Sequence, residues 1–136
     1  GDQGVSETIT GEDMRPARDY LTRTQLPFFT YSPLGRGVLS GAYTPQMLRE
    51  NPDLIDPAGR KAYCHPQNLE RLERCFALAE QKHCSVSQIA LAWLLGQKQN
   101  LAILVGARTP EEFRQDAAAF TIDLSEKECA WLNLEC

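Results

Sequence analysis

Two short stretches of this 136-residue chain combine residue types suited to holding an anion. The first is Ser32-Pro33-Leu34-Gly35-Arg36-Gly37, which follows the β-rich run "PFFTYS" (27–32). Glycine lets backbone approach a ligand closely, and consecutive free N–H groups in a turn form a concavity for an anion. Ser, Pro and Gly also favour plain turns on conformational grounds, so from this segment by itself both readings stand. The second stretch is Gly106-Ala107-Arg108-Thr109-Pro110, which follows the apolar run "LAILVG" (101–106) and leads into a helix start. Helix N-termini attract phosphate through unpaired N–H groups and the helix dipole, and an arginine there adds a planar bidentate donor. A cation at that end is mildly unfavourable unless an anion offsets it, which tilts Arg108 towards a ligand role. Glu112, three residues after Thr109, is explained as its cap partner without any ligand.

The elements that position these stretches are legible from periodicity and punctuation. "DMRPARDYLTRTQ" (13–25) reads as a short amphipathic helix with Met14, Ala17, Tyr20 and Leu21 on one side. The adjacent Phe28 and Phe29 predict a strand covered on both faces, as does the unbroken apolar run at 101–106. From Pro33 to Pro66 inclusive there are five prolines and four glycines with only fragments of helical pattern. That predicts a long irregular stretch over 33–66, of the kind used for lids and binding loops. From Gln67 on, Leu69, Leu72, Cys75, Phe76 and Ala79 recur at helical spacing, and a nearly all-apolar helix follows over 86–97. Two more helices are expected near 110–120 and 126–135. Ser85-x-x-Gln88, Thr109-x-x-Glu112 and Ser125-x-x-Glu128 each have the form of a capping box, and Pro110 sits where a missing N–H costs nothing. Strand, helical crossover, strand, helix is the grammar of a parallel α/β unit, whose ligands sit at the carboxyl ends of the strands.

Composition narrows the partners. A net charge of −4 argues against nucleic acid or an acidic membrane. The longest apolar run, "IALAWLLG" (89–96), is far too short to span a bilayer, and the polar "GDQGVSETITGED" has no signal-peptide core. A cytoplasmic setting is the resulting expectation. Five cysteines without a C-x-x-C pair predict reduced thiols. The spacing of Cys64, His65, His83 and Cys84 is too irregular for structural zinc, so no metal is expected. Cys75 falls on the apolar face of its helix, His83 closes that helix, and His65 is read as a solvated loop residue.

"YSPLGRGVLSG" (31–41), "NLERLERCFALAEQ" (68–81), "IALAWLL" (89–95), "ILVGARTPEEFRQD" (103–116) and "LSEKECAWLNLE" (124–135), taken in this order, resemble the last two strand–helix units of the aldo-keto reductase superfamily. The resemblance implies the C-terminal part of a (β/α)8 TIM barrel, incomplete in this chain. It makes the chain a single partial domain, with 1–12 a flexible lead-in and 13–136 the barrel units. It also implies NADP(H) as cofactor. Ser32, Leu34, Gly35, Arg36 and Gly37 would lie along the pyrophosphate. Gly106, Arg108 and Thr109 would hold the 2′-phosphate side of the adenosine. Where the family offers Gln-x-x-Glu-Asn towards the adenine, this chain has Glu112, Gln115 and Asp116.

The family's catalytic aspartate, tyrosine, lysine and histidine lie in the first half of the barrel, and no tyrosine here sits in a matching motif. No catalytic residue is therefore assigned. For a complete enzyme the resemblance implies reduction of an aldehyde or ketone. The expected partners are a nicotinamide dinucleotide, the carbonyl substrate, and the missing barrel half, another chain or a second copy. The alternative is a non-catalytic binding or regulatory module derived from the reductase fold.

Overall fold

The computed structural model describes residues 11–136. The predicted flexible lead-in lies outside the described residues as far as Thr10, and Glu12–Met14 already form a 3-10 turn. Helix α1 (Arg15–Thr24) follows and ends where Gln25 turns left-handed, its N–H donating to Leu21 O. The apolar side predicted for α1 is not buried: none of its residues lies in the core, and Tyr20 is half exposed beneath Arg23. What holds α1 is its C-terminal end. Gln25 donates to Lys98 O at 2.9 Å, Asn100 donates to Gln25 O at 3.1 Å, and Gln99 donates to Thr22 Oγ1 at 2.8 Å.

Strands β1 (Phe28–Thr30) and β2 (Leu101–Ile103) pair in parallel, with Phe28 opposite Leu101, Phe29 opposite Ala102 and Thr30 opposite Ile103. The crossover between them runs through α2 (Pro45–Glu50), α3 (Pro57–Tyr63), α4 (Pro66–Lys82) and α5 (Val86–Leu95). The stretch over 33–66 is therefore not irregular throughout, as its prolines and glycines led us to expect. Three of those prolines open helices, each in the first turn where no N–H is needed. Thr44 caps α2 by accepting the Met47 N–H at 3.1 Å, and the Asp56 carboxylate caps α3 by accepting the Ala58 and Gly59 N–H groups at 3.1 Å each. At six and seven residues, α2 and α3 are too short to show a helical period.

The core sits between helices rather than on the sheet. Leu69, Leu72, Cys75, Leu78 and Ala79 of α4 pack with Val86 and Ile89 of α5, Leu48 of α2 and Leu132 of α7 (Glu126–Leu132). As expected, α5 is largely buried and Cys75 behaves as a small apolar side chain, its thiol pushed up to about 12 by burial. All five cysteines are free thiols. His83 ends α4 in a left-handed conformation, and the Cys84 N–H turns back to Ala79 O at 3.0 Å. His65 is half-buried at the N-cap of α4 and not the freely solvated residue predicted from its loop context.

The sheet differs from expectation on one side. Successive strand residues face opposite ways, and α5 packs against β2. Phe29 is 63% exposed and Leu104 52% exposed, so the face that also holds Tyr31 and Ala102 is uncovered. Double coverage needs a layer on each side, and the described residues supply helices on one.

Helix α7 docks on α4 through charge. Arg74 of α4 donates to the carbonyl of Trp131 and its guanidinium lies 5.0 Å from that indole ring. Lys82 Nζ sits 2.9 Å from Glu128 Oε1, while Glu128 Oε2 accepts the Ser125 N–H at 2.7 Å. Lys82 first, then the Ser125 bonds, hold the Glu128 carboxyl below its usual 4.5. A carboxyl depressed in the folded state stabilises above its unfolded value, and that contribution disappears as pH falls through the folded one. Glu128→Gln keeps the cap acceptor and removes the charge. It is expected to cost about 1 kcal/mol at pH 7 and close to nothing at pH 3. Urea melts of both proteins at the two pH values check this, and an equal cost at both would contradict it.

Candidate functional site

Because β1 and β2 are adjacent and parallel, the loops that follow them leave from the same end of the sheet. The ladder begins with the Phe28 N–H on Asn100 O at 3.0 Å and ends with the Leu104 N–H on Thr30 O at 2.9 Å. Past that last bond, one chain enters Tyr31–Gly37 and the other Val105–Thr109. The two anion-suited stretches of the sequence are thus neighbours across a two-stranded sheet.

The first loop is a tight 3-10 turn over Gly35–Gly37. Ser32, Gly35, Arg36 and Gly37 all have positive φ, at 49°, 58°, 53° and 100°. Glycine takes that region freely, whereas Ser32 and Arg36 are held in it by their surroundings. The turn does not present consecutive free N–H groups, as its sequence suggested. Gly35 N–H donates to Ser32 O at 2.9 Å, Gly37 N–H to Leu34 O at 3.2 Å, and Val38 N–H to Gly35 O at 3.2 Å. What remains for a ligand is the Ser32 hydroxyl, which has no partner among the described residues, and bare backbone at Gly37, where an added Cβ would meet nothing within 4 Å.

Arg36 is anchored from α3. Its Nε and Nη2 donate to the two Asp56 oxygens at 3.2 Å each, and Asp56 is at the same time the α3 cap. The Arg36 bond, with the Gly59 N–H next, holds the Asp56 carboxyl below its usual range, and Asp56 in turn raises Arg36. Two further contacts seat the turn on α3. A Cβ at Gly35 would come 3.3 Å from the Tyr63 ring, and one at Gly59 would come 3.1 Å from the Arg36 Cβ and 2.8 Å from Ile55 Cγ2. Sequence reasoning missed Asp56, Gly59 and Tyr63. The Asp56-Pro57 pair, a cap followed by a first-turn proline, was the available signal.

The second loop opens helix α6 (Pro110–Ala117). Gly106 is exposed, with nothing within 4 Å of an added Cβ. Thr109 caps the helix by accepting the Glu112 N–H at 3.1 Å. The reciprocal half of the predicted box is absent. Glu112 does not reach the Thr109 N–H; its Oε2 accepts the Arg108 N–H at 2.7 Å and its Oε1 the Arg108 Nη2 at 3.0 Å. The boxes at Ser85 and Ser125 form in full. The Arg108 N–H, and next its guanidinium, hold the Glu112 carboxyl below its usual range. Burial first, and the Glu112 charge second, push the Asp116 carboxyl up. Gln115 is exposed and contributes through its carbonyl, which accepts Gln88 Nε2 at 2.8 Å and ties α6 to the cap of α5.

Ser32, Leu34, Gly35, Arg36 and Gly37 therefore share one turn, and Gly106, Arg108, Thr109 and Glu112 another, with Gln115 and Asp116 one helical turn further along α6. An open groove of about 590 Å³ lined by Ser40, Phe76, Glu80, Cys84 and Val86 shares no residue with either. Among the described residues no group of three or more His, Cys, Asp or Glu could hold a metal, and no helix is long and apolar enough to cross a membrane.

A parallel strand pair joined by a helical crossover, with a capped helix following and two glycine–arginine turns at one end, is an α/β arrangement. The chain belongs to the aldo/keto reductase family, whose model matches residues 12–133. It is similar to an NADH-specific methylglyoxal reductase of Escherichia coli (strain K12), with 33% identity over 111 residues, 76% of this chain and 31% of that protein. Aldo-keto reductase str7 of Strobilurus tenacellus is 28% identical over 107 residues, 74% of this chain and 30% of the relative. Probable aldo-keto reductase 1 of Glycine max is 31% identical over 98 residues, 72% and 28% of the respective chains. The chain thus spans about 30% of the length of the curated relatives it matches.

Proposed function

We propose that this chain carries the phosphate- and adenosine-binding part of a nicotinamide-dependent carbonyl reductase, its strands and helices being the last units of a (β/α)8 barrel in a cytoplasmic enzyme. The observation that carries the reading is the parallel register, which sets the Ser32–Gly37 and Gly106–Thr109 turns side by side at the carboxyl ends of the strands. Backbone bare of neighbours at Gly37 and Gly106 suits close approach of a ligand. Ser32, Leu34, Gly35, Arg36 and Gly37 serve the pyrophosphate, and Gly106, Arg108, Thr109, Glu112, Gln115 and Asp116 the adenosine. Arg108 is the group that would meet the 2′-phosphate carried by NADP(H). A bound reduced nicotinamide supplies the hydride for a carbonyl carbon. The relative named for NADH and methylglyoxal supports that class of cofactor and substrate.

In this reading the uncovered face of Phe29, Tyr31 and Leu104 is completed by further barrel strands, from the rest of a longer protein, another chain or a second copy. A second reading, a binding module without catalysis, is favoured by the core, which closes between α2, α4, α5 and α7 without help from the sheet.

Titration of the chain with ADP, followed through its backbone amides, tests the site. The signals of Gly35–Gly37 and Gly106–Thr109 are expected to move together, with those of α4 unmoved. Shifts spread over the whole chain, or absent from both turns, would remove the reading.

A further inference from the structure

We propose that Glu112 sets the cofactor preference of this site, favouring a dinucleotide with a free adenosine 2′-hydroxyl over one with a 2′-phosphate. The inference rests on the cofactor reading above and goes beyond it, because that reading leaves Arg108 available to phosphate. Two of its donors are already engaged. The Glu112 carboxylate takes the Arg108 backbone N–H at 2.7 Å and its guanidinium Nη2 at 3.0 Å, at a helix start that would otherwise favour a phosphate. The carboxylate is placed there by the helix itself, since the Glu112 N–H is fixed on Thr109 Oγ1 at 3.1 Å.

A 2′-phosphate could take those two donors only after Glu112 had left them, and on the remaining guanidinium N–H groups it would lie beside the carboxylate. The displaced carboxylate would stay on the same turn of α6, with Asp116 one turn further, so like charges would face the phosphate. The neighbouring cation does not offset them, because Arg114 is paired with Glu111 at 3.3 Å. A ribose 2′-hydroxyl meets the opposite situation: it can donate to Glu112 while Arg108 keeps its bonds. In dinucleotide sites generally, a carboxylate serves the 2′-hydroxyl and an arginine accommodates the 2′-phosphate. Here the carboxylate holds the arginine. Arg108 is 87% exposed, so the pair is screened by water and the discrimination is moderate.

The test compares ADP with its 2′-phosphorylated counterpart on the unmodified chain, on Glu112→Gln and on Glu112→Gln/Arg108→Ala, by calorimetric or amide-shift titration. Glutamine keeps an acceptor for the Arg108 N–H and loses the charge, so local structure is retained, as circular dichroism will verify. The unmodified chain is expected to bind ADP more tightly than the 2′-phosphorylated ligand. Glu112→Gln should strengthen the 2′-phosphorylated ligand roughly three- to tenfold and weaken ADP, whose 2′-hydroxyl loses a charged acceptor, and the added Arg108→Ala should cancel the gain. Equal change for both ligands, or no change, overturns the inference while the site stands. Failure of both ligands to bind the unmodified chain overturns the cofactor reading and this inference with it.

Discussion

Truncating Leu72 to alanine is expected to cost about 2–5 kcal/mol, a large part of the roughly 5–15 kcal/mol that holds a domain folded. Leu72 is 0% exposed and lies in the middle of α4, where α2, α5 and α7 converge. Removing its branched end forfeits the transfer free energy of the missing carbons and leaves a void that closely packed neighbours fill only in part. Urea unfolding should show a large fall in midpoint with little change in slope. Leu104→Ala serves as the contrast. Its side chain is half exposed on the uncovered sheet face, and its loss should cost no more than about 0.5 kcal/mol. If the two substitutions cost the same, the sheet, and not the α4–α5 interface, holds the chain together.

The second large effect is an absence of turnover. The 136-residue chain by itself is expected not to reduce a generic aldehyde with either NADH or NADPH. Positioned proton transfer contributes about 10²–10⁴-fold to such reactions, and the resemblance assigns the proton-donating role to none of Tyr20, Tyr31, Tyr43 and Tyr63. Tyr63 in fact packs over Gly35 and serves to seat the turn. A coupled absorbance assay at saturating cofactor decides the matter. Turnover that persists through repeated purification, and that falls on substitution of one of these tyrosines, would show that the chain carries chemistry of its own. Supplying the upstream strand–helix units separates the remaining readings: recovery of activity supports a reductase part, and none supports a binding module.

Features governed by neighbours within about four residues are legible in the sequence. The starts of α5, α6 and α7 sit at Ser85, Thr109 and Ser125 because each hydroxyl accepts the N–H three residues on. The apolar spacing of α4 names its buried face, including Cys75. Helices α2 and α3 are not legible, since six or seven residues show too little periodicity and their opening prolines read as breakers. Glu112 shows the limit most sharply. Its spacing from Thr109 predicts a full box, yet Arg108 offers the same carboxylate a backbone N–H and a guanidinium, and two charge-assisted bonds outweigh one.

The sequence by itself determined the caps of α5, α6 and α7, the apolar faces of α4 and α5, the order of the strands and the longer helices, and the family to which the chain belongs, because each rests on local spacing or on motifs read in order. Tertiary structure alone decided the rest. It set the register that brings residues 31–37 and 105–109 to one end of the sheet, and it left Phe29 and Leu104 without a covering layer. It joined Arg36 to Asp56 across twenty residues and closed Gly35 under Tyr63. A hydrogen bond or contact between distant residues depends on the path of everything between them, and no local pattern encodes that path. The donors left over for a ligand are known only after the fold has used the others.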